Sequence, residues 1–282
     1  MTSRIALTFE RAHAQGERAL IPYLTAGFPR LSETVGLLRA LERGGADIIE
    51  LGVPFSDPIA DGPTIQASCA ESLLQGTTLA AVLEMVREFR RESQVPIVLF
   101  GAYNPFLRYG LERLAHDASA AGADALLIPD LPVDEGEEAA AIIRGSGLDL
   151  VFLVAPTTPL ERKRLICSKT SGFVYYISVK GVTGARESIT FELEQPLAEL
   201  RSVTTLPIAV GFGIATPAQA AAVGRLADGV IVGSALVKLV GEHAGSPDLP
   251  AKVEQYMRAM KEPLRGSSSP AALTQPLDKP TS

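Results

Sequence analysis

Asp47-Ile48-Ile49-Glu50-Leu51-Gly52-Val53-Pro54-Phe55-Ser56-Asp57-Pro58 is a short apolar run that meets a carboxylate and then breaks into a loop of Pro, Gly, Ser and Asp. A strand with one wet face would alternate apolar and polar residues. This one does not, so both faces are buried, as in a parallel sheet. Outward from it lie seven more runs of the same kind: Ala19–Thr25, Pro96–Gly101, Ala125–Pro129, Leu150–Pro156, Phe173–Val179, Pro207–Phe212 and Gly229–Gly233. Segments of helical spacing separate them: Ser32–Gly44, Leu79–Ser93, Leu107–Ala121, Asp134–Gly145, Leu160–Ser171, Phe191–Val203 and Pro217–Leu226. Several open on helix-start signals, namely Ser32 before Glu33, Thr157 and Thr158 before Pro159, and Thr216 before Pro217. Eight repeats of strand then helix close most simply into an α/β fold of the (β/α)8 TIM-barrel type, a parallel eight-stranded barrel with extra short helices. The alternative, a doubly wound open sheet, usually carries a Gly-rich fingerprint after its first strand, and here that position reads only Ala26-Gly27-Phe28-Pro29-Arg30.

The loop after Glu50 is the longest insertion, and it leads into a further helical stretch, Thr64–Leu74. Long insertions on the C-terminal side of barrel strands are where such enzymes carry function. The barrel is expected over 1–265 as a single domain. The Ser/Pro/Gly-rich stretch 266–282 has no periodicity and is expected to be disordered.

Composition narrows the function. The 282 residues are 46% hydrophobic and 21% charged, enough for a full core. A net charge of −6 with no basic stripe argues against nucleic acid as the partner. No apolar run is long enough to span a membrane, and the first residues do not read as a signal peptide. Cys69 and Cys167 are far apart and without a partner motif, which fits a reduced, cytoplasmic chain. His13, His116 and His243 have no spacing that suggests a metal site, so none is expected.

Glu50 closes an apolar strand, so its carboxylate points into the barrel mouth or upper core. Desolvation there would raise its pKa and suit it to proton transfer near neutral pH. The plainer reading is a buried Glu paired with a base, or one that turns outward. Asp61, in Ala60-Asp61-Gly62-Pro63, reads either as a turn or cap residue or as a second carboxylate with a separate role. Asp57 has the stronger turn signature. A second constellation is backbone. Gly181-Val182-Thr183-Gly184, Gly211-Phe212-Gly213 and Gly233-Ser234 follow the sixth, seventh and eighth strands, the last opening a helix. In barrels these loops commonly cradle a phosphate, because glycine lets the backbone come close and a helix start offers free N–H groups. The aromatics Tyr23, Phe100, Tyr103, Tyr175, Tyr176 and Phe212 stand at strand ends, where some are core and some could line a slot for a flat ring. Lys180, at the end of the sixth strand, reads as a solvated loop charge, with a Schiff-base lysine as the rival reading.

Read together, Ile21–Gly27, Glu50–Pro58, Ala60–Gln66, Gly181–Ala185, Gly211–Ile214 and Asp228–Ala235 resemble the tryptophan synthase α-subunit family, in the same order from about Arg4 to Met260. The stretch Glu50–Gln66 is highly specific to it, whereas the glycine turns are shared with other phosphate-binding barrels. The resemblance implies retro-aldol cleavage of indole-3-glycerol phosphate to indole and glyceraldehyde 3-phosphate in L-tryptophan biosynthesis, without a cofactor. It implies Glu50 as the proton-transfer group and Asp61 as the partner of the indole N–H. Tyr23, Tyr175 and Phe212 would surround the indole, and Gly184, Gly213, Gly233 and Ser234 would hold the phosphate. Thr183 would lie on a closing loop. It implies an α2β2 complex that passes indole to a pyridoxal-phosphate β subunit for condensation with serine. Pro54–Pro63 and Pro129–Val133 would face that partner. One departure bears on the pocket: Ala102 stands where many members carry Tyr, with Phe100 or Tyr103 left to fill the space. A free-standing lyase and a binding subunit that mainly activates a partner are the other readings. Glu50 and Asp61 together argue against the latter.

Overall fold

The structure, a computed structural model, describes residues 3–59, 61–178, 186–211 and 213–266, with 186–192 described as helical backbone only. Its strands are Ala19–Thr25 (β1), Ile49–Gly52 (β2), Ile97–Phe100 (β3), Ala125–Leu127 (β4), Asp149–Val151 (β5), Leu153–Val154 (β6), Val174–Ile177 (β7), Ile208–Gly211 (β8) and Gly229–Val232 (β9). Every pairing is parallel, in the order β5-β4-β3-β2-β1-β9-β8-β7-β6. The two end members are one passage of chain interrupted at Phe152, so the sheet closes on itself. The expected strand Leu150–Pro156 is therefore split. The break is local, because the Phe152 carbonyl still accepts from Tyr175 N at 3.2 Å.

The alternation of side chains along each strand produces two cores. Ile21, Ile48, Val98, Leu127, Val151, Phe173, Ala209 and Ile231 fill the barrel interior. Their neighbours Leu20, Ile49, Leu99, Leu126 and Val210 face outward into the shell of helices. Each such side chain contributes about 1.5–3 kcal/mol of burial. The helix Arg4–Ala14, which sequence periodicity had not singled out, plugs the N-terminal end of the barrel. Ser3 caps it by accepting from Ala6 N at 3.2 Å, and Ile5 and Phe9 enter the interior core, Phe9 lying 5.8 Å from Phe173 between ring centroids.

At that same end three aspartates clamp strand starts. Asp47 accepts from Leu20 N at 2.7 Å, Asp124 from Ile97 N at 2.8 Å and Asp228 from Ile208 N at 2.9 Å. Each also holds a cation: Lys261 at 2.9 Å, Arg4 and Arg90 at 2.5 and 3.0 Å, and Arg201 at 3.0 Å, respectively. The sequence writes this device as a recurring Ala-Asp at positions 46–47, 123–124 and 227–228.

Helix starts follow the sequence in part. Thr216 caps its helix as expected, and does so in a capping box, its Oγ1 accepting from Gln219 N while Gln219 Oε1 accepts from Thr216 N. Ser32 lies instead in a 3-10 turn, and Thr34 Oγ1 accepts from Gly27 N at 2.9 Å. Thr158 closes a turn by accepting from Ala155 N at 3.1 Å, and the helix Leu160–Lys169 begins after Pro159. The expected helix Leu107–Ala121 is two helices, Tyr103–Tyr109 and Leu111–Ala121, because Gly110 adopts φ 91° and ends the first. The stretch expected to be a disordered tail lies, from residue 267, outside the described residues.

Candidate active site at the C-terminal mouth

The inward-facing set continues past the core to the C-terminal rim. Tyr23, Glu50, Phe100, Pro129, Leu153, Tyr175, Ile177, Gly213, Ile231 and Gly233 line one cleft of about 400 Å³, together with Asp61, the start of the helix Pro63–Leu74 and Ser234. Strand parity alone could have named Leu153, Ile177 and Ile231, which sequence reasoning had left as plain core. Gly62, Pro63, Thr64 and Ile65 were also missed as lining residues, although Pro at a helix start is itself a signal that a free N-terminus sits there.

The register of β1 and β2 sets Tyr23 beside Glu50. The Tyr23 ring meets Phe100 edge-on, centroids 5.4 Å apart and planes at 83°. Two glycines give the tyrosines room. A Cβ on Gly52 would stand 2.1 Å from the Tyr23 hydroxyl, and one on Gly211 would stand 2.5 Å from the Tyr175 hydroxyl. Gly213, at φ 77°, turns the chain at the rim after β8. Gly233 precedes the helix Ser234–Glu242, whose first amides have no carbonyl a turn earlier to bond and open toward the cleft.

Glu50 is 1% exposed, and among the described residues its Oε1 has no hydrogen-bond partner. Burial pushes its carboxyl up to about 8. The paired-Glu reading is thereby set aside: among the described residues no cation holds this side chain. Asp61 sits at the cleft's edge, half-buried, and burial raises it to about 6. Its backbone is fixed by Asp61 N donating to Pro58 O at 3.0 Å and by Gln66 Nε2 donating to Asp61 O at 2.9 Å. Asp57, by contrast, accepts from its neighbour Ser56 at 2.8 Å, as a turn residue does. The helix that follows Asp61 is tied to β1 through Ser68 and Thr25, whose hydroxyls lie 2.7 Å apart. Near pH 7 the cleft thus holds one neutral carboxyl on a strand and one mostly ionised carboxylate on a loop.

Of the other expected site residues, Tyr23, Tyr175, Gly213, Gly233 and Ser234 reach the cleft. Tyr176 faces the outer shell, and Tyr103 opens a helix behind the rim. Thr183, Gly184, Phe212 and Lys180 lie outside the described residues. Among the described residues no group of His, Cys, Asp and Glu could hold a metal ion, and no helix is long and apolar enough to cross a membrane.

A closed parallel barrel with a neutral carboxyl on the floor of its C-terminal cleft defines a (β/α)8-barrel enzyme with acid–base groups at its mouth. The family model of the tryptophan synthase alpha chain matches residues 9–265, and the chain belongs to that family. It is 48% identical to the tryptophan synthase alpha chain of Geobacter sp. (strain M21) over 94% of this chain and 99% of that one. With the Geobacter sulfurreducens protein it shares 50% over 92% and 98%. Among solved structures, the tryptophan synthase α subunit of Legionella pneumophila str. Paris superposes with a TM-score of 0.87 at 36% identity, covering 94% of this chain and 99% of that one. A chain of the tryptophan synthase complex of Pyrococcus furiosus does so at 0.79 and 40% identity, covering 87% and 98%.

Proposed function

We infer that this chain cleaves indole-3-glycerol phosphate to indole and glyceraldehyde 3-phosphate as the α subunit of a tryptophan synthase, supplying indole to a β subunit for L-tryptophan biosynthesis. The carrying observation is the buried, unpartnered carboxyl of Glu50 facing the cleft. A protonated Glu50 gives its proton to the indole ring at C3. The carboxylate it becomes takes the proton of the glycerol hydroxyl next to the scissile bond. As that oxygen becomes an aldehyde, the carbon–carbon bond to C3 breaks and its electrons return to the ring, releasing indole. Asp61, ionised above about 6, accepts the indole N–H and balances the positive charge that ring protonation creates. Tyr23, Tyr175 and Phe100 form the slot for the ring. The phosphate lies on the amides of Gly213 and of Gly233 and Ser234 at the start of the helix Ser234–Glu242. The family resemblance adds Gly184 for the phosphate, Thr183 for a closing loop and Phe212 for the ring.

The α reaction needs no cofactor, and the pyridoxal phosphate that joins indole to serine belongs to the β subunit. Pro54–Pro63 and Pro129–Val133 flank the outer end of the cleft and are our choice for the β-facing surface. Ile59, exposed on the first of them, supports this. The free, buried thiols of Cys69 and Cys167 agree with a cytoplasmic setting. Indole release from indole-3-glycerol phosphate by the purified chain, with and without a β subunit, tests the reading. Glu50→Gln is expected to cut turnover by about 100- to 10,000-fold and Asp61→Asn by roughly 100- to 1,000-fold, both with the fold intact. Near wild-type turnover in Glu50→Gln would refute the assignment.

A further inference from the structure

A second, smaller cavity opens off the cleft beneath the 53–61 loop. It shares Tyr23, Asp61, Phe100 and Pro129 with the cleft but does not include Glu50. Its inner walls are Val53, Phe55, Cys69, Gly101 and Ala102. Its free volume of about 20 Å³ is the room of one water or methyl-sized group. Gly101 does not set its size: a Cβ there would meet Phe106 at 2.6 Å and Val53 at 3.2 Å, so the backbone is already packed at that residue. Ala102 and Cys69 are the short side chains whose length decides how far the cavity reaches.

The chemistry of the ring limits what can point there. With Glu50 at C3 and Asp61 at the N–H, carbons 6 and 7 form the benzo edge on the Asp61 side, and carbon 6 is the one that reaches farthest from Glu50. Carbon 4 stays on the Glu50 side. We propose that the cavity walled by Ala102 and Cys69 is a specificity subsite that admits a methyl-sized substituent at position 6 of the indole ring, with Ala102 as the residue that sets its limit. The inference rests on the orientation argued under Proposed function.

The test compares kcat/KM for the 6-methyl, 4-methyl and unsubstituted forms of indole-3-glycerol phosphate, in the wild-type chain, in Ala102→Leu and in Cys69→Ala. The wild type is expected to turn over the 6-methyl form within about threefold of the parent and the 4-methyl form at least tenfold worse. Ala102→Leu should lower the 6-methyl to parent ratio at least tenfold. Cys69→Ala should extend acceptance to a 6-ethyl substrate that the wild type rejects. Rejection of the 6-methyl form by the wild type, equal acceptance of both methyl isomers, or an unchanged ratio in Ala102→Leu would each overturn the subsite while leaving turnover of the parent as evidence for the reaction. No turnover of the parent would overturn the reaction and the subsite with it.

Discussion

The two ends of the barrel treat their carboxylates in opposite ways. At the N-terminal end Asp47, Asp124 and Asp228 each accept a strand-start amide and each hold a cation within 3.0 Å. At the C-terminal end Glu50 is more deeply buried than any of them and, among the described residues, has nothing to pair with at Oε1. A carboxylate with such partners locks the closure of the sheet. One without them stays neutral, which costs stability at neutral pH and leaves the proton available for chemistry. The same residue class therefore serves stability at one rim and reaction at the other, and the difference lies chiefly in the partners.

The contrast can be broken at either end. The largest expected effect is the loss of turnover in Glu50→Gln and, next, in Asp61→Asn, with the fold intact. At the other end, Asp124→Ala removes the carboxylate shared by Arg4 and Arg90 and frees Ile97 N. It should cost about 3 kcal/mol in urea unfolding while kcat/KM stays within about twofold of wild type. The smallest effect is on stability at the mouth and depends on pH. Below the ordinary Glu value of 4.5, Glu50 is neutral in both folded and unfolded chains. Between 4.5 and about 8 only the unfolded chain ionises, so the wild type loses stability as pH rises through that window. Glu50→Gln lacks this loss. It is expected to be more stable than wild type by roughly 2 kcal/mol at pH 6, with the advantage gone by pH 4. An advantage that did not vary with pH would mean that Glu50 is ionised in the folded chain.

How much of this the sequence showed follows from what each signal depends on. Uniformly apolar runs report burial on both faces, so the strands, their parallel pairing and the barrel were legible. The break at Phe152 and the division of the helix at Gly110 are matters of backbone angle at one residue, which periodicity does not carry. Glu50 was legible as a polar residue ending an apolar strand, but whether it was paired depended on residues distant in sequence. Asp61 shares its Asp-Gly-Pro signature with ordinary turns, and only its place at the rim of the cleft separates it from Asp57. The recurring Ala-Asp of the N-terminal clamps was present in the sequence, but its meaning emerged only with the strand starts each aspartate reaches.

The raised carboxyl at the mouth also shapes the rate profile. Asp61 must be ionised and Glu50 protonated, so kcat/KM should rise through about pH 6 and fall through about pH 8. The most direct measurement is the titration of Glu50 itself, followed by carbon NMR of glutamate-labelled protein and assigned by its absence in Glu50→Gln. A midpoint near 8 is predicted for a neutral, unpartnered carboxyl on the cleft floor. A midpoint near 4.5, the ordinary value, would contradict it and remove the acid from the proposed reaction.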